Sequence, residues 1–185
     1  NEYRNTVSSL DITNSLFTVS SKISPETTDD EPQTKSVKIQ YIDVPGHEHY
    51  FEDTLDYAEK ASAIILVVDS KDRQKFGEAV EMIYALLNDT RTIIEEKLPI
   101  MVVCNKQDLE YARKPTDLED EFEKEIEELK RVKIASRDPD KEYVGYVESL
   151  KSRFEFKNIS DIVQFCNASV KDGNIEEVVK FIVKH

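Results

Sequence analysis

The sequence contains only four glycines, Gly46, Gly77, Gly145 and Gly173. A phosphate-cradling loop of the form G-x-x-x-x-G-K-[ST] needs two glycines five positions apart, and no pair of these four has that spacing. Because such a loop supplies the main contacts to the β- and γ-phosphates of a nucleotide, a complete phosphate-binding site is excluded from these 185 residues.

Long apolar runs and positive charge are scarce as well. The longest uninterrupted apolar run, residues 63–68, is far short of the ~20 residues that span a bilayer, so we expect no membrane helix within the sequence. The formal net charge of −13 argues against direct binding to nucleic acid or to an anionic membrane surface, because both need a basic face.

Cysteine occurs only at Cys104 and Cys166, and both residues lie in apolar runs without metal-ligand spacing. We interpret them as reduced core residues, with a disulfide as the alternative. The length suits one domain over residues 1–185, and no composition shift indicates a second.

The hydrophobic pattern predicts alternating strands and helices. Strands are expected at 15–20, 37–42, 63–69, 100–104 and 161–166, and helices near 50–60, 72–90, 118–129 and 174–182. The continuous apolar character of 63–69 indicates a strand covered on both faces. Asn174 is the expected N-cap of the last helix. This alternation predicts an α/β fold with a doubly wound, mostly parallel sheet.

Two connecting segments and the charged face of one helix differ in composition from the rest of the sequence. Residues 21–36 form a polar, proline-containing connection, which predicts a loop. Residues 135–158 are a mixed polar and aromatic insertion. In the helix before it, the pairs Asp120/Lys124 and Glu127/Arg131 lie four residues apart, which indicates a solvated, ion-paired face.

The segment Asn105-Lys106-Gln107-Asp108 directly follows an apolar strand and has the form of a guanine-reading loop. Guanine presents an N1–H and a 2-amino group side by side, so the carboxylate of Asp108 can accept two hydrogen bonds that adenine does not supply. Asn105 is expected to brace the loop near N7 of the base, and the methylene stem of Lys106 to lie along the purine face.

The segment 43–47, Asp-Val-Pro-Gly-His, also begins where a predicted strand ends. Ligands of open α/β sheets bind outside the carboxyl ends of the strands, so this loop should face the same site. Asp43 can then reach a Mg²⁺ ion, usually through a water, and the N–H of Gly46 can approach a terminal phosphate because glycine has no side chain in the way.

Short residues follow the last predicted strand at Ala168-Ser169-Val170-Lys171. Their backbone N–H groups can point at O6 of guanine, so Ser169, Val170 and Lys171 are candidate base contacts. Their position after the final strand gives this assignment its weight.

In this order, the Asp-Val-Pro-Gly-His loop, the segment 67–70 (Val-Val-Asp-Ser), the Asn-Lys-Gln-Asp loop and Ser169-Val170-Lys171 resemble a small Ras-like GTPase. Tyr3-Arg4-Asn5-Thr6 and the insertion before the last strand narrow the resemblance to the family of beta subunits of the eukaryotic signal recognition particle receptor. The resemblance covers nearly the whole sequence.

The resemblance implies GTP and Mg²⁺ as ligands and the amino-terminal domain of the receptor alpha subunit as a nucleotide-dependent partner. It places the domain at the cytosolic face of the endoplasmic reticulum membrane, held there by an upstream helix, for co-translational protein targeting. It also implies that Ser9 or Thr6 completes the magnesium shell, and the residues do not decide between the two.

The resemblance further gives His47 the position that orients the attacking water in related GTPases. The alternative is a histidine that points to solvent and becomes ordered only in a complex. We expect hydrolysis to be slow or assisted by a partner.

Because the phosphate loop is missing, we expect residues 1–185 to be a GTPase domain that lacks its amino-terminal strand and loop, and a pseudo-GTPase is the alternative. Two functions follow. The first is a GTP-dependent binding subunit, and the second is an actively hydrolysing GTPase of translational-factor or ADP-ribosylation-factor type. An α/β scaffold that binds no nucleotide is the third interpretation.

Overall fold

The computed structural model describes residues 11–23, 33–136 and 143–185. The strands are β1 (Thr13–Ile23), β2 (Gln33–Asp43), β3 (Ile64–Asp69), β4 (Ile100–Asn105) and β5 (Val163–Asn167). The α-helices are α1 (Phe51–Ala58), α2 (Phe76–Asp89), α3 (Arg91–Glu95), α4 (Pro115–Ala135), α5 (Tyr146–Ser149) and α6 (Glu176–Lys184). Short 3₁₀ turns lie at Glu48–Tyr50, Arg73–Lys75 and Phe156–Ile159.

The centre of the fold is a parallel sheet in the order β3-β4-β5. Ile64 pairs with Ile100 at one end of the β3–β4 register and Asp69 with Asn105 at the other. The connections between these strands contain helices, as parallel pairing requires. The predicted α/β class and parallel sheet are confirmed.

The first two strands form a separate antiparallel hairpin, in which Thr13 pairs with Asp43 and Ile23 with Gln33. Both strands are longer than predicted, since β1 continues to Ile23 and β2 begins at Gln33, within the expected loop at 21–36. A polar sequence does not exclude a strand, because antiparallel strands often carry polar side chains on one face. Residues 24–32 lie outside the described residues.

The parallel sheet is covered by helices on both faces at β4. Along this strand Ile100, Val102 and Cys104 face the large core on the side of α2 and α4. Met101 and Val103 face a smaller core that includes Phe181 of α6. Helix α6 also contacts β1 and β2, so it links the hairpin to the parallel sheet.

The expectation that residues 63–69 are covered on both faces is wrong for β3. Val67 is 61% exposed and Ile65 is 36% exposed, on the face that carries Met101 and Val103 in β4. Helix α6 contacts β4 and β5, and none of the residues that the structure describes buries this part of β3.

The insertion 135–158 is anchored to α2 through the buried Asn88. The Asn88 side-chain oxygen accepts hydrogen bonds from the backbone N–H of Val147 at 3.0 Å and of Glu148 at 3.3 Å, while its amide donates to the Tyr84 carbonyl. A Cβ at Gly145 would overlap Asn88, so the close approach of α5 to α2 requires glycine there. The described part of the insertion after residue 142 is therefore packed against the domain core.

The acidic face of α4 is a second anchor for the insertion, and the predicted pair Glu127/Arg131 is wrong. Glu127 accepts the backbone N–H of Phe154 at 2.6 Å, and Glu123 accepts that of Phe156 at 2.8 Å. The buried Lys130 donates to the Leu150 carbonyl, and Arg131 pairs with Glu128 instead. Intervals of four residues could not indicate that these carboxylates bind backbone groups.

Two further sequence predictions have clear outcomes. Cys104 and Cys166 are buried free thiols, and burial raises the pKa of each, to about 12 and about 11. The predicted N-cap is wrong, because α6 begins after Ile175, and Asn174 instead pairs with Ser169 through backbone hydrogen bonds. Within the described ranges, no helix has the length and apolar character needed to cross a membrane.

The substitution Asn88→Ala should lower the free energy of unfolding by about 1–3 kcal/mol, because it leaves the buried N–H of Val147 without an acceptor. Urea denaturation followed by circular dichroism measures the change. Glu81→Ala, at an exposed position of the same helix, is the matched control and should leave the midpoint nearly unchanged. Equal midpoints for the two variants would contradict the anchoring role of Asn88.

Candidate functional site

The carboxyl ends of the three parallel strands bring three loops together. Asp69 ends β3 beside Asn105, which ends β4. The Ser70 N–H donates to the Asn105 carbonyl at 3.1 Å, and the Ala168 N–H donates to the Cys104 carbonyl at 3.0 Å. These bonds continue the sheet pattern into the loops, so the loops are held at one edge.

Asp108 lies at the centre of this edge. Its Oδ1 accepts the hydroxyl of Ser169 at 2.9 Å, and its Oδ2 lies 3.3 Å from the ammonium of Lys171. The Gln107 N–H donates to the Ala168 carbonyl at 3.1 Å and ties the two loops directly. The Asp108 side chain is only 9% exposed. The carboxylate is thus fixed in orientation at the surface of the site.

Asn105 connects the same two loops through a further hydrogen bond. Its Oδ1 accepts the backbone N–H of Val170 at 3.3 Å. The structure therefore brings together Asn105, Asp108, Ser169, Val170 and Lys171, five of the residues singled out in the sequence. Their contacts to a base stay predictions.

The turn from Ser169 to Asn174 is closed by two backbone hydrogen bonds between these residues, of 3.0 and 2.9 Å. Gly173 has φ of +76°, a conformation that side chains rarely adopt. The buried Ser169 hydroxyl also accepts the Asp172 N–H at 3.2 Å. Ser169 is therefore fixed on both sides, which explains how it can hold Asp108.

Lys106 is tied to a residue that sequence reasoning gave no role. Its ammonium lies 2.6 Å from Oδ2 of Asp69, and its backbone φ is +65°. The sequence identifies Asp69 only as part of the Val-Val-Asp-Ser segment. The signal that could identify its role is a carboxylate at the end of an apolar strand whose neighbouring strand is followed by Lys106.

Both carboxylates have lowered pKa values. The hydrogen bond from Ser169 is the main cause for Asp108, and Lys171 adds to it. For Asp69, partial burial acts to raise the pKa, but the hydrogen bonds from Lys106 and from the Lys71 N–H outweigh it. Both groups are therefore ionised at neutral pH.

The predicted phosphate and magnesium residues lie at the end of β2, in the other sheet. Asp43 is the last residue of that strand and is exposed. A Cβ at Gly46 would meet nothing within 4 Å, so there is open space at this loop. His47 caps the 3₁₀ turn that follows, because its Nδ1 accepts the His49 N–H at 3.1 Å. Thr6 and Ser9 lie outside the described residues.

This arrangement matches the donor set of guanine. Asp108 offers two carboxylate oxygens at one edge of the site, and the loop after β5 lies beside it, tied to Asn105 through the Val170 N–H. A carboxylate accepts the N1–H and the 2-amino group of guanine together, whereas adenine presents an unprotonated N1. The residues present fit a guanine base.

The fold and this loop set define a GTPase-like α/β domain. A solved small GTPase, Arl6 (BBS3) from Trypanosoma brucei with a bound nucleotide analogue, superposes with a TM-score of 0.59 at 14% identity, over 99% of this chain and 83% of that chain. The mammalian signal recognition particle receptor gives a TM-score of 0.68 at 23% identity, over 99% of this chain and 87% of that chain.

The particular family follows from the sequence comparison. The family model described as signal recognition particle receptor beta subunit matches residues 4–163, and the chain belongs to this family. The mouse receptor subunit beta is 24% identical over 99% of this chain and 68% of its own length. The human protein is 27% identical over 79% of this chain and 58% of its own length.

The substitution Ser169→Ala should raise the pKa of Asp108 toward the ordinary aspartate value, because the largest cause of its lowering is the Ser169 hydrogen bond. Carboxyl carbon NMR during an acid titration measures it. In the parent, the stability that the ionised Asp108 gains from this hydrogen bond should be fully present above the ordinary aspartate pKa. It should be lost as the pH falls through the lowered pKa.

Ser160→Ala, at an exposed serine outside the site, is the control for this titration. An Asp108 midpoint that is the same in the parent and in Ser169→Ala would show that the hydroxyl does not hold the carboxylate.

Proposed function

We propose that this chain is the GTP-binding switch subunit of a signal recognition particle receptor. The observation that supports the proposal is the fixed Asp108 carboxylate, which the Ser169 hydroxyl holds at 2.9 Å at the carboxyl-end edge of the parallel sheet. A base-reading carboxylate that is already oriented binds its ligand without further ordering, which favours affinity and selectivity.

The proposed ligands are GTP and Mg²⁺. Asp43 would contribute a carboxylate to the metal, together with Ser9 or Thr6, in keeping with the few protein ligands and several waters that Mg²⁺ takes. Gly46 would bring its N–H to the terminal phosphate. The bound states of related proteins support this, since solved structures include SRb-GDP-Mg from Chaetomium thermophilum, with a TM-score of 0.62 at 18% identity over 77% of this chain and 78% of that chain.

The proposed partner is the amino-terminal domain of the receptor alpha subunit, bound in a nucleotide-dependent way. A γ-phosphate that orders loops near the nucleotide can present or withdraw a partner surface. Support comes from the SRb-GTP/SRX complex of Chaetomium thermophilum, with a TM-score of 0.72 at 18% identity over 98% of this chain and 77% of that chain. The proposed place of action is the cytosolic face of the endoplasmic reticulum membrane, in co-translational targeting.

We also propose that His47 orients the attacking water when GTP is hydrolysed. Its Nδ1 accepts the His49 N–H, so a neutral ring carries its proton on Nε2. An Nε2–H donates to a water oxygen and can position it, but it cannot accept the proton of that water. His47 in this state would be a positioning group for water and no general base.

The substitution Asp108→Asn should weaken GTP binding by about 10²-fold or more, because one of the two carboxylate acceptors becomes a donor. The same change should increase the affinity for xanthosine triphosphate, because its 2-oxo group can accept a hydrogen bond from the N–H of the new asparagine amide. Competition binding with the complete protein measures both effects. Asp120→Asn, on the exposed face of α4, is the control. Unchanged GTP affinity in Asp108→Asn would remove Asp108 from the site.

The substitution His47→Ala should lower single-turnover hydrolysis while nucleotide affinity stays nearly unchanged, because water positioning acts on the chemical step. His47→Asn separates this role from capping, since asparagine is a good N-cap residue but has no imidazole. A rate that is low in both variants supports water positioning. A rate that is normal in His47→Asn would mean that His47 matters only as a cap.

A further inference from the structure

The geometry points to Asp69 as a positioning residue for guanine-nucleotide binding: it holds the Lys106 side chain in place before the base arrives. This inference rests on the proposed function, because it concerns the same site. The role of Asp69 is exerted through Lys106.

The Asp69 carboxylate is itself fixed. Asp69 ends β3 and pairs in register with Asn105, the residue before Lys106. Its Oδ1 accepts the backbone N–H of Lys71 at 3.0 Å, and its Oδ2 faces the Lys106 ammonium at 2.6 Å. Because one oxygen is held by the backbone of its own loop, the other has a defined position in the site.

The Lys106 backbone would not adopt its conformation without support. A φ of +65° lies in the left-handed region, which disfavours residues that carry a side chain. The Lys106 ammonium lies at the end of β3, where it meets the Asp69 carboxylate. The ion pair and the strained φ therefore belong to one local arrangement of the loop.

An ion pair at this position has a function that an ordinary surface pair lacks. A free lysine side chain has four torsions, and the loss of that rotational freedom on binding opposes affinity. The pair orders Lys106 in the protein alone, so its methylene stem is ready to pack along the purine face. Lys106 is 51% exposed and Asp69 is 28% exposed, which leaves the stem accessible to a base.

The chain offers a matched control for the pair. Lys97 and Asp161 form a second lysine–aspartate pair, with the ammonium 2.7 Å from the carboxylate oxygen. Lys97 precedes β4 and Asp161 precedes β5, so this pair lies at the amino ends of the strands, opposite the site. Asp69→Asn and Asp161→Asn remove the same chemical group from pairs of nearly equal length.

The test measures the affinity of the complete protein for GTP and for inosine triphosphate, which lacks the 2-amino group that Asp108 is proposed to bind. We expect Asp69→Asn to weaken both by the same factor, about 3- to 10-fold, because packing along the base does not depend on that group. Asp161→Asn should match the parent. In a Lys106→Met background, which keeps an unbranched apolar stem, Asp69→Asn should cause no further loss.

If the parent binds GTP, three results would overturn the inference but not the proposed function. The first is unchanged nucleotide affinity in Asp69→Asn, and the second is an equal loss of affinity when Asp69→Asn is made in the Lys106→Met background. The third is a loss of affinity that is greater for GTP than for inosine triphosphate. The last result would place the effect at Asp108. A parent that binds neither nucleotide would overturn the proposed function, and the inference with it.

Discussion

The parallel pairing of β3, β4 and β5 is the constraint on which the rest of the site depends. Strands that run in one direction end at one edge of the sheet, so their loops meet there. Asp108 and Ser169 are 61 positions apart in the sequence, yet the pairing brings them to 2.9 Å. Helices α2 and α4 on one face, and α6 on the other, support the strands whose ends position the loops.

The two carboxylates of the site are held by the same combination of partners. Asp108 has one neutral donor, the Ser169 hydroxyl, and one ammonium, that of Lys171. Asp69 has the backbone N–H of Lys71 and the ammonium of Lys106. Each lysine offsets one negative charge in a chain of net charge −13, which lessens the repulsion that an anionic nucleotide would otherwise meet.

The fold class, the parallel strands and the meeting of the loops at their carboxyl ends could be predicted from sequence, because parallel strands are short apolar runs and their loops follow directly. The side chains that hydrogen-bond to distant backbone groups could not be predicted. Glu123 and Glu127 had the spacing of a solvated face, yet they accept N–H groups of the insertion. Asn174 had the pattern of a helix cap but pairs with Ser169. Such outcomes depend on tertiary neighbours, which local patterns do not contain.

Selection of guanine by Asp108 and its supporting loops is the property on which the proposed function depends. The most direct test is the equilibrium binding of GTP and of ATP, each with Mg²⁺, to the complete, unsubstituted protein. GTP should bind at least about 100-fold more tightly than ATP, because only guanine presents the paired donors that Asp108 accepts. Equal affinities for the two nucleotides, or no binding of GTP, would show that Asp108 does not select guanine.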